Sequence, residues 1–241
     1  MTELAPQLPS PDERVLLHEL NHRINNEFAA AISAVSVAAA RSSDRAVKAA
    51  LSGVGELLHH YADVHRALQT PDHDTPVDAA TYLHQLCVLI SRSKLENREI
   101  TLVLSAQSLQ LPAERCWRLG MILYELITNA ARHAFEGGGG EIRVAVRLDG
   151  AFVKCSVQDN GSAAPNMHPG RGLQIVDALS EALGGCFKQT LGPPGSSSLL
   201  VFPRDSAPTV IAGETRSGMA PDAKRAGQAF DDAPSALACC S

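Results

Sequence analysis

Between Val47 and Leu68 the seam positions of this chain fall alternately four and three residues apart: Val47, Leu51, Val54, Leu58, Tyr61, His65 and Leu68. A repeat of about 3.5 residues holds a seam on one side of a helix and calls for a partner helix beside it. The preceding segment supplies one. From Asp12 to Arg41, Leu17, Leu20, Ile24, Phe28, Ala31, Val35 and Ala38 recur in steps of three and four, behind the start signal Ser10-Pro11-Asp12-Glu13. The short polar turn Ser42-Ser43-Asp44 joins the two into a helical hairpin. Gly53 and Gly55 weaken the second helix without interrupting its seam. One hairpin buries too little surface to stand alone, so we expect two copies to pair as a dimeric four-helix bundle.

Residues 12–70 form this unit, and Thr70 to Pro76 reads as a linker. Beyond it the periodicity changes. The spacing predicts a helix over 77–94, a strand at Ile100–Leu104, and a helix over 113–135 stopped by Gly137 to Gly140. Alternating strands follow at 141–148 and 152–158, then a helix over 171–183 and strands at 186–190 and 198–202. Helices mixed with antiparallel strands predict an α/β sandwich over 75–203, making the whole chain α+β. From Arg204 to Ser241 the sequence is rich in Ala, Ser, Pro, Gly and Asp without apolar period, and we expect a disordered tail.

Composition narrows the function classes. A hydrophobic share of 45% over 241 residues supports a packed core, and a net charge of −5 leaves no basic footprint for nucleic acid. No window approaches the roughly eighteen apolar residues of a membrane span. The start MTELAPQLPSPDER shows no secretory signal. The six cysteines, Cys239 and Cys240 included, lack metal spacing and read as inert thiols of a reducing compartment. A soluble, cytoplasmic chain is expected.

Four groups of residues carry chemistry. His22 lies two positions from both Leu20 and Ile24, which turns it away from the stripe toward water, near Glu19, Asn25 and Asn26. A solvated imidazole beside a carboxylate is a nucleophile near neutral pH, though an incidental surface histidine has the same position. His65 sits on the stripe and reads as a packed core residue. Glu125, Asn129, Arg132 and His133 share one face of the helix over 113–135, opposite Leu119, Ile122, Leu123, Leu126, Ile127 and Ala130. An acid, an amide oxygen and a cation so aligned can hold hydrated Mg²⁺ and a polyphosphate. Val157-Gln158-Asp159-Asn160-Gly161 runs from a strand into a loop. Gly170-Arg171-Gly172-Leu173 opens a helix whose free N–H groups suit an anion, although a tight turn accounts for the glycines equally well.

In this order the groups resemble a two-component sensor histidine kinase, more narrowly the HWE-related subfamily, whose histidine helix carries His-Arg. The resemblance covers Arg14 to Pro203. It implies a dimerisation and phosphoacceptor hairpin over 12–70 and a Bergerat-type (GHKL) ATP-binding domain over 75–203. His22 would be the phosphoacceptor, flanked by Glu19 and Arg23. Asn129 would coordinate Mg²⁺, with Glu125 supporting its water shell and Arg132 and His133 near the phosphates of ATP. Asp159 would accept the adenine amino group, and Gly161 would let the base approach. Gly170 and Gly172, with Leu173 behind them, would pack a lid loop over 162–169 and the next helix against the triphosphate.

The implied partners are a response-regulator receiver domain, a second copy of the chain and a separate sensor protein. Departures from the pattern stand beside these matches. Asn25 and Glu27 replace the lysine and the second asparagine of His-Arg-x-Lys-Asn-Asn, and Ala163 replaces the second glycine of Asp-x-Gly-x-Gly. An alanine forced to positive φ costs about 1 kcal/mol. A histidine phosphotransferase with a degenerate ATP fold, or an anti-sigma-type regulator, is the alternative reading.

Overall fold

The computed structural model describes residues 11–71, 75–135, 138–162, 171–192 and 195–205. The expectations placed on Ser10, Gly137, Ala163, Gly170, the lid loop beyond Ser162 and the tail beyond Asp205 lie outside these residues.

Helices α1 (Pro11–Arg41) and α2 (Arg45–Ala67) form the expected hairpin. Asp44 caps α2 by accepting the N–H groups of Ala46 and Val47 at 2.7 and 3.3 Å. The helices pair with Val35 against Gly55 and the ring of Phe28 6.0 Å from that of His65. Part of the stripe is not covered within one hairpin: Leu17, Leu20, Val47 and Val54 are all exposed. His65 is therefore only half-buried, not the fully packed core residue the seam predicts.

The remaining elements build the sandwich. Strands β1 (Pro76–Asp78) and β3 (Gln110–Pro112) make a two-stranded antiparallel ribbon. A five-stranded sheet has the order β2-β4-β5-β7-β6, from β2 (Ile100–Ala106), β4 (Gly140–Asp149), β5 (Phe152–Asp159), β6 (Cys186–Gly192) and β7 (Gly195–Pro203). Its register sets Val146 opposite Cys155, and Cys155 opposite Leu200. The β2–β4 pair is parallel, which corrects the all-antiparallel expectation. α4 (Ala113–His133) crosses between them, and such a connection returns the chain in the same direction. With α3 (Ala79–Ile90) and α5 (Arg171–Ala182), α4 covers one face of the sheet. Leu83, Ile90, Leu119, Ile122, Ile127, Ile142, Val153 and Phe202 fill the space between the layers.

Three details position the site. α3 stops at Ile90 rather than Lys94, giving way to a π turn (Ser91–Leu95) and a 3₁₀ turn (Glu96–Arg98). Buried Ser93 bonds back to the Ile90 carbonyl at 3.2 Å, an alternative to the regular ladder. Arg115, only 6% exposed, donates to the carbonyls of Leu183 and Pro203 and lies over the Phe202 ring. It thereby pins the start of α4 to the far end of the sandwich. Finally, Tyr82 and Trp117 donate to the carbonyls of Ala67 and Leu68 at 3.2 and 2.8 Å, satisfying groups that the end of α2 leaves open. A β-carbon at Gly120 would lie 2.5 Å from the Tyr82 hydroxyl, so the glycine makes room for this docking.

Arg204, expected to open the tail, still donates its backbone N–H to Ala151 at 2.8 Å. Cys87, Cys116 and Cys155 are buried free thiols; burial pushes them up to about 12, 11 and 12, which keeps them unreactive. Among the described residues no helix is long and apolar enough to cross a membrane.

Candidate functional site

His22 faces solvent, as the stripe geometry predicts. The antiparallel pairing of Phe28 with His65 brings it level with the end of α2, where Trp117 and Tyr82 dock the sandwich. The imidazole is thus at the sandwich end of the hairpin. Of the three expected neighbours only Asn26 bonds to it among the described residues. Glu19 accepts from Arg23 Nε at 2.8 Å, and that guanidinium holds its carboxyl below the usual carboxylate range. A permanent cation competes better for a carboxylate than a neutral ring does. The partner of His22 is Asn26, whose Nδ2 lies 3.2 Å from the ring Nδ1. Asn25 is half-buried, with its Oδ1 unpartnered.

The polar face of α4 forms as its spacing requires. Glu125 and Asn129 are half-buried, while Arg132 and His133 are exposed. α5 enters directly over the first two. A β-carbon on Gly172 would stand 2.6 Å from Glu125 Oε2 and 3.2 Å from Asn129 Nδ2. The glycine therefore lets the α5 backbone close on a carboxylate and an amide, two oxygen donors of the kind a hard divalent cation takes. Burial pushes the Glu125 carboxyl up, and nearby Arg132 pulls it down. Leu173 is half-buried and packs on the core, anchoring the start of α5 beside this face.

At the end of β5, Asp159 is 9% exposed. Its Oδ1 accepts the N–H groups of Gly161 and Ser196 at 3.1 and 3.2 Å, and Oδ2 accepts the Ser196 hydroxyl. Gly161 serves the protein's own packing: a β-carbon there would lie 2.2 Å from the Ala134 carbonyl, which also accepts from Ser162 N–H. Gly195, at φ 137, is equally tight against the Asp159 carbonyl. Sequence reasoning missed Gly195 and Ser196, since the contact joins two strands across the sheet. The Gly-Ser-Ser-Ser run after Pro193-Pro194 was its only signal.

Known proteins resemble the chain in both parts. Residues 19–94 match a family model described as histidine kinase, and residues 96–186 one described as histidine kinase-like ATPase domain. Blue-light-activated histidine kinase 2 of Erythrobacter litoralis is 26% identical over 230 residues, covering 86% of this chain and 64% of that protein. Sensor histidine kinase PdtaS of Mycobacterium tuberculosis is 25% identical over 173 residues, covering 69% and 34%. The chain thus spans less than two thirds of these relatives' length. The solved histidine kinase domain of the Erythrobacter litoralis EL346 blue-light activated protein aligns with a TM-score of 0.55 at 21% identity, over 78% of this chain and 90% of that one. That likeness establishes the shared fold.

Proposed function

We propose that this chain, with a region matching the histidine kinase model and one matching the histidine kinase-like ATPase domain in tandem, is a sensor histidine kinase that transfers the γ-phosphoryl group of ATP to His22 and then to an aspartate of a response-regulator receiver domain. The hairpin over 12–70 is the phosphoacceptor unit and 75–203 the ATP-binding unit. Exposed stripe residues Leu17, Leu20, Val47 and Val54 support pairing of two hairpins into a homodimer. The cytoplasm, where ATP is available, is the compartment this activity requires, and a separate sensor protein would supply the input.

The observation that carries this reading is Gly172 closing on Glu125 and Asn129. Glu125 and Asn129 would hold Mg²⁺, which when bound neutralises charge on the polyphosphate. Arg132 and His133, exposed one turn further along α4, would contact the phosphates. Asp159 already accepts three hydrogen bonds. An ionised carboxylate has about four lone-pair positions, so one remains for an adenine amino group. Gly161 fixes the chain leaving Asp159, which supports that carboxylate from behind.

At the hairpin, Asn26 occupies Nδ1 of His22. Asn26 Nδ2 donates to the Nδ1 lone pair, which puts the proton of the neutral ring on Nε2. Nε2 then attacks the γ-phosphorus: the P–N bond forms as the bond to the β-phosphate oxygen breaks, and the electron pair leaves on ADP. The Nε2 proton passes to solvent as the P–N bond forms. Glu19, one turn before His22 and held by Arg23, would take up that proton through solvent. Positioning and electrostatics supply most of the rate in this chemistry.

The test uses the full chain with Mg²⁺ and γ-labelled ATP, beside His22→Ala and Asn129→Ala. Acid-labile label on the wild type alone supports the kinase. Label acquired only from a phosphorylated receiver domain would replace it with the relay reading, and acid-stable label with a serine kinase.

A further inference from the structure

On the hairpin side of α4 the structure holds a cavity of about 330 Å³, lined by Lys94, Arg98 and Arg132 together with Glu125, Tyr124 and Thr128. Three cations surround one carboxylate. Among the described residues no ion pair includes Lys94, Arg98 or Arg132, and Glu125 is the one carboxylate that lines the cavity with them. In a protein of net charge −5 such a concentration is a local choice, not a bulk property.

Both cations outside α4 are held in place. Arg98 donates one N–H to the Ala131 carbonyl, which fixes its guanidinium against the last turn of the helix. Lys94 Nζ lies 4.2 Å above the ring of Tyr61, so its ammonium stands where the sandwich meets α2. The π turn and the 3₁₀ turn after α3 carry these residues, and they bring the two side chains to the same side of α4.

The cavity shares Glu125 and Arg132 with the face that Gly172 closes from the α5 side. α4 thus presents one polar ridge between α5 and a cationic wall that faces the hairpin. We infer that Lys94 and Arg98 are additional phosphate-contacting residues, which with Arg132 bind the terminal phosphate of the nucleoside triphosphate on the side from which His22 approaches. This rests on the proposed kinase reading. The wall attracts the γ-phosphate and not the base or the α-phosphate, because it adjoins the metal-binding end of the ridge. It therefore adds discrimination between a triphosphate and a diphosphate, and Lys94 and Arg98 extend what Arg132 alone of the sequence motifs brings to that side.

The experiment compares ATP and ADP affinities, with Mg²⁺, for the full chain and for Lys94→Gln, Arg98→Gln and Arg98→Lys. Each glutamine variant should lose about tenfold in ATP affinity, the worth of one charge-assisted contact, while ADP affinity stays within about twofold. Arg98→Lys should recover part of the loss. Lys94→Gln breaks no hydrogen bond among the described residues, so a general loss of structure at Arg98 does not decide the matter. Equal weakening of ATP and ADP, or no change in either, would overturn the inference while leaving the kinase reading intact. A wild-type chain that binds neither nucleotide would overturn both.

Discussion

Gly172 stands over Glu125 with no room for a side chain: a β-carbon there would come within 2.6 Å of Oε2. The near atom is the end of a flexible side chain, so Gly172→Ala shifts the carboxylate instead of unfolding α5. Asn129, 3.2 Å from the same point, is displaced with it. We expect Gly172→Ala to keep its thermal midpoint and to lose on the order of tenfold to hundredfold in autophosphorylation rate. Labelled-ATP kinetics beside a melting curve check this.

Glu125 makes the opposite trade between folding and activity. Its carboxyl is pushed up by burial. For an acid shifted upward, the folding contribution is greatest below the unfolded value and is lost as pH rises through the folded one. At neutral pH the fold therefore carries the cost of a half-buried charge. Glu125→Gln removes it and should raise the thermal midpoint while abolishing Mg²⁺-dependent ATP binding. A lowered midpoint would contradict the assignment.

His65 makes the hairpin sensitive to acid. Burial against α1 lowers its affinity for a proton below the usual 6.5, and its Nδ1 has no partner. The unfolded chain takes up the proton more readily, so stability from this residue is complete above about pH 6.5 and is lost as pH falls from there through the folded value. Urea titrations of the wild type between about pH 5 and 7.5 should show the decline, and His65→Leu should flatten it.

Arg115 holds the sandwich together by donating to the main-chain carbonyls of Leu183 and Pro203. Arg115→Met keeps the packing on Phe202 but removes both donated bonds. A loss of about 2 to 4 kcal/mol is expected by chemical denaturation. ATP binding to the folded fraction should be unchanged.

Much of this was legible in the sequence, because a 3.5-residue seam and a polar helix face survive in any tertiary context. The existence and approximate extent of α1, α2 and α4 and the exposure of His22 follow from those patterns alone, with α4 ending at His133 instead of Phe135. β1 and β3 escaped because three-residue strands bounded by prolines carry no period. The early end of α3 depended on one serine hydroxyl turning back on its own helix. At the site, local spacing found Glu125, Asn129 and Asp159 but misjudged partners. Glu19 and Asn26 flank His22 at comparable distances along the helix, and only the competing guanidinium of Arg23 decides between them. Ser196, Lys94 and Arg98 reach the site from other elements, which no local motif records.

The central claim is that ATP bound against Asn129 and Asp159 phosphorylates His22. Mapping the label by digesting the γ-labelled chain at neutral pH tests it most directly. The account predicts one acid-labile phosphopeptide, the one containing His22, absent from Asn129→Ala and Asp159→Asn. Label on any other peptide, or label that persists in those two variants, would contradict it.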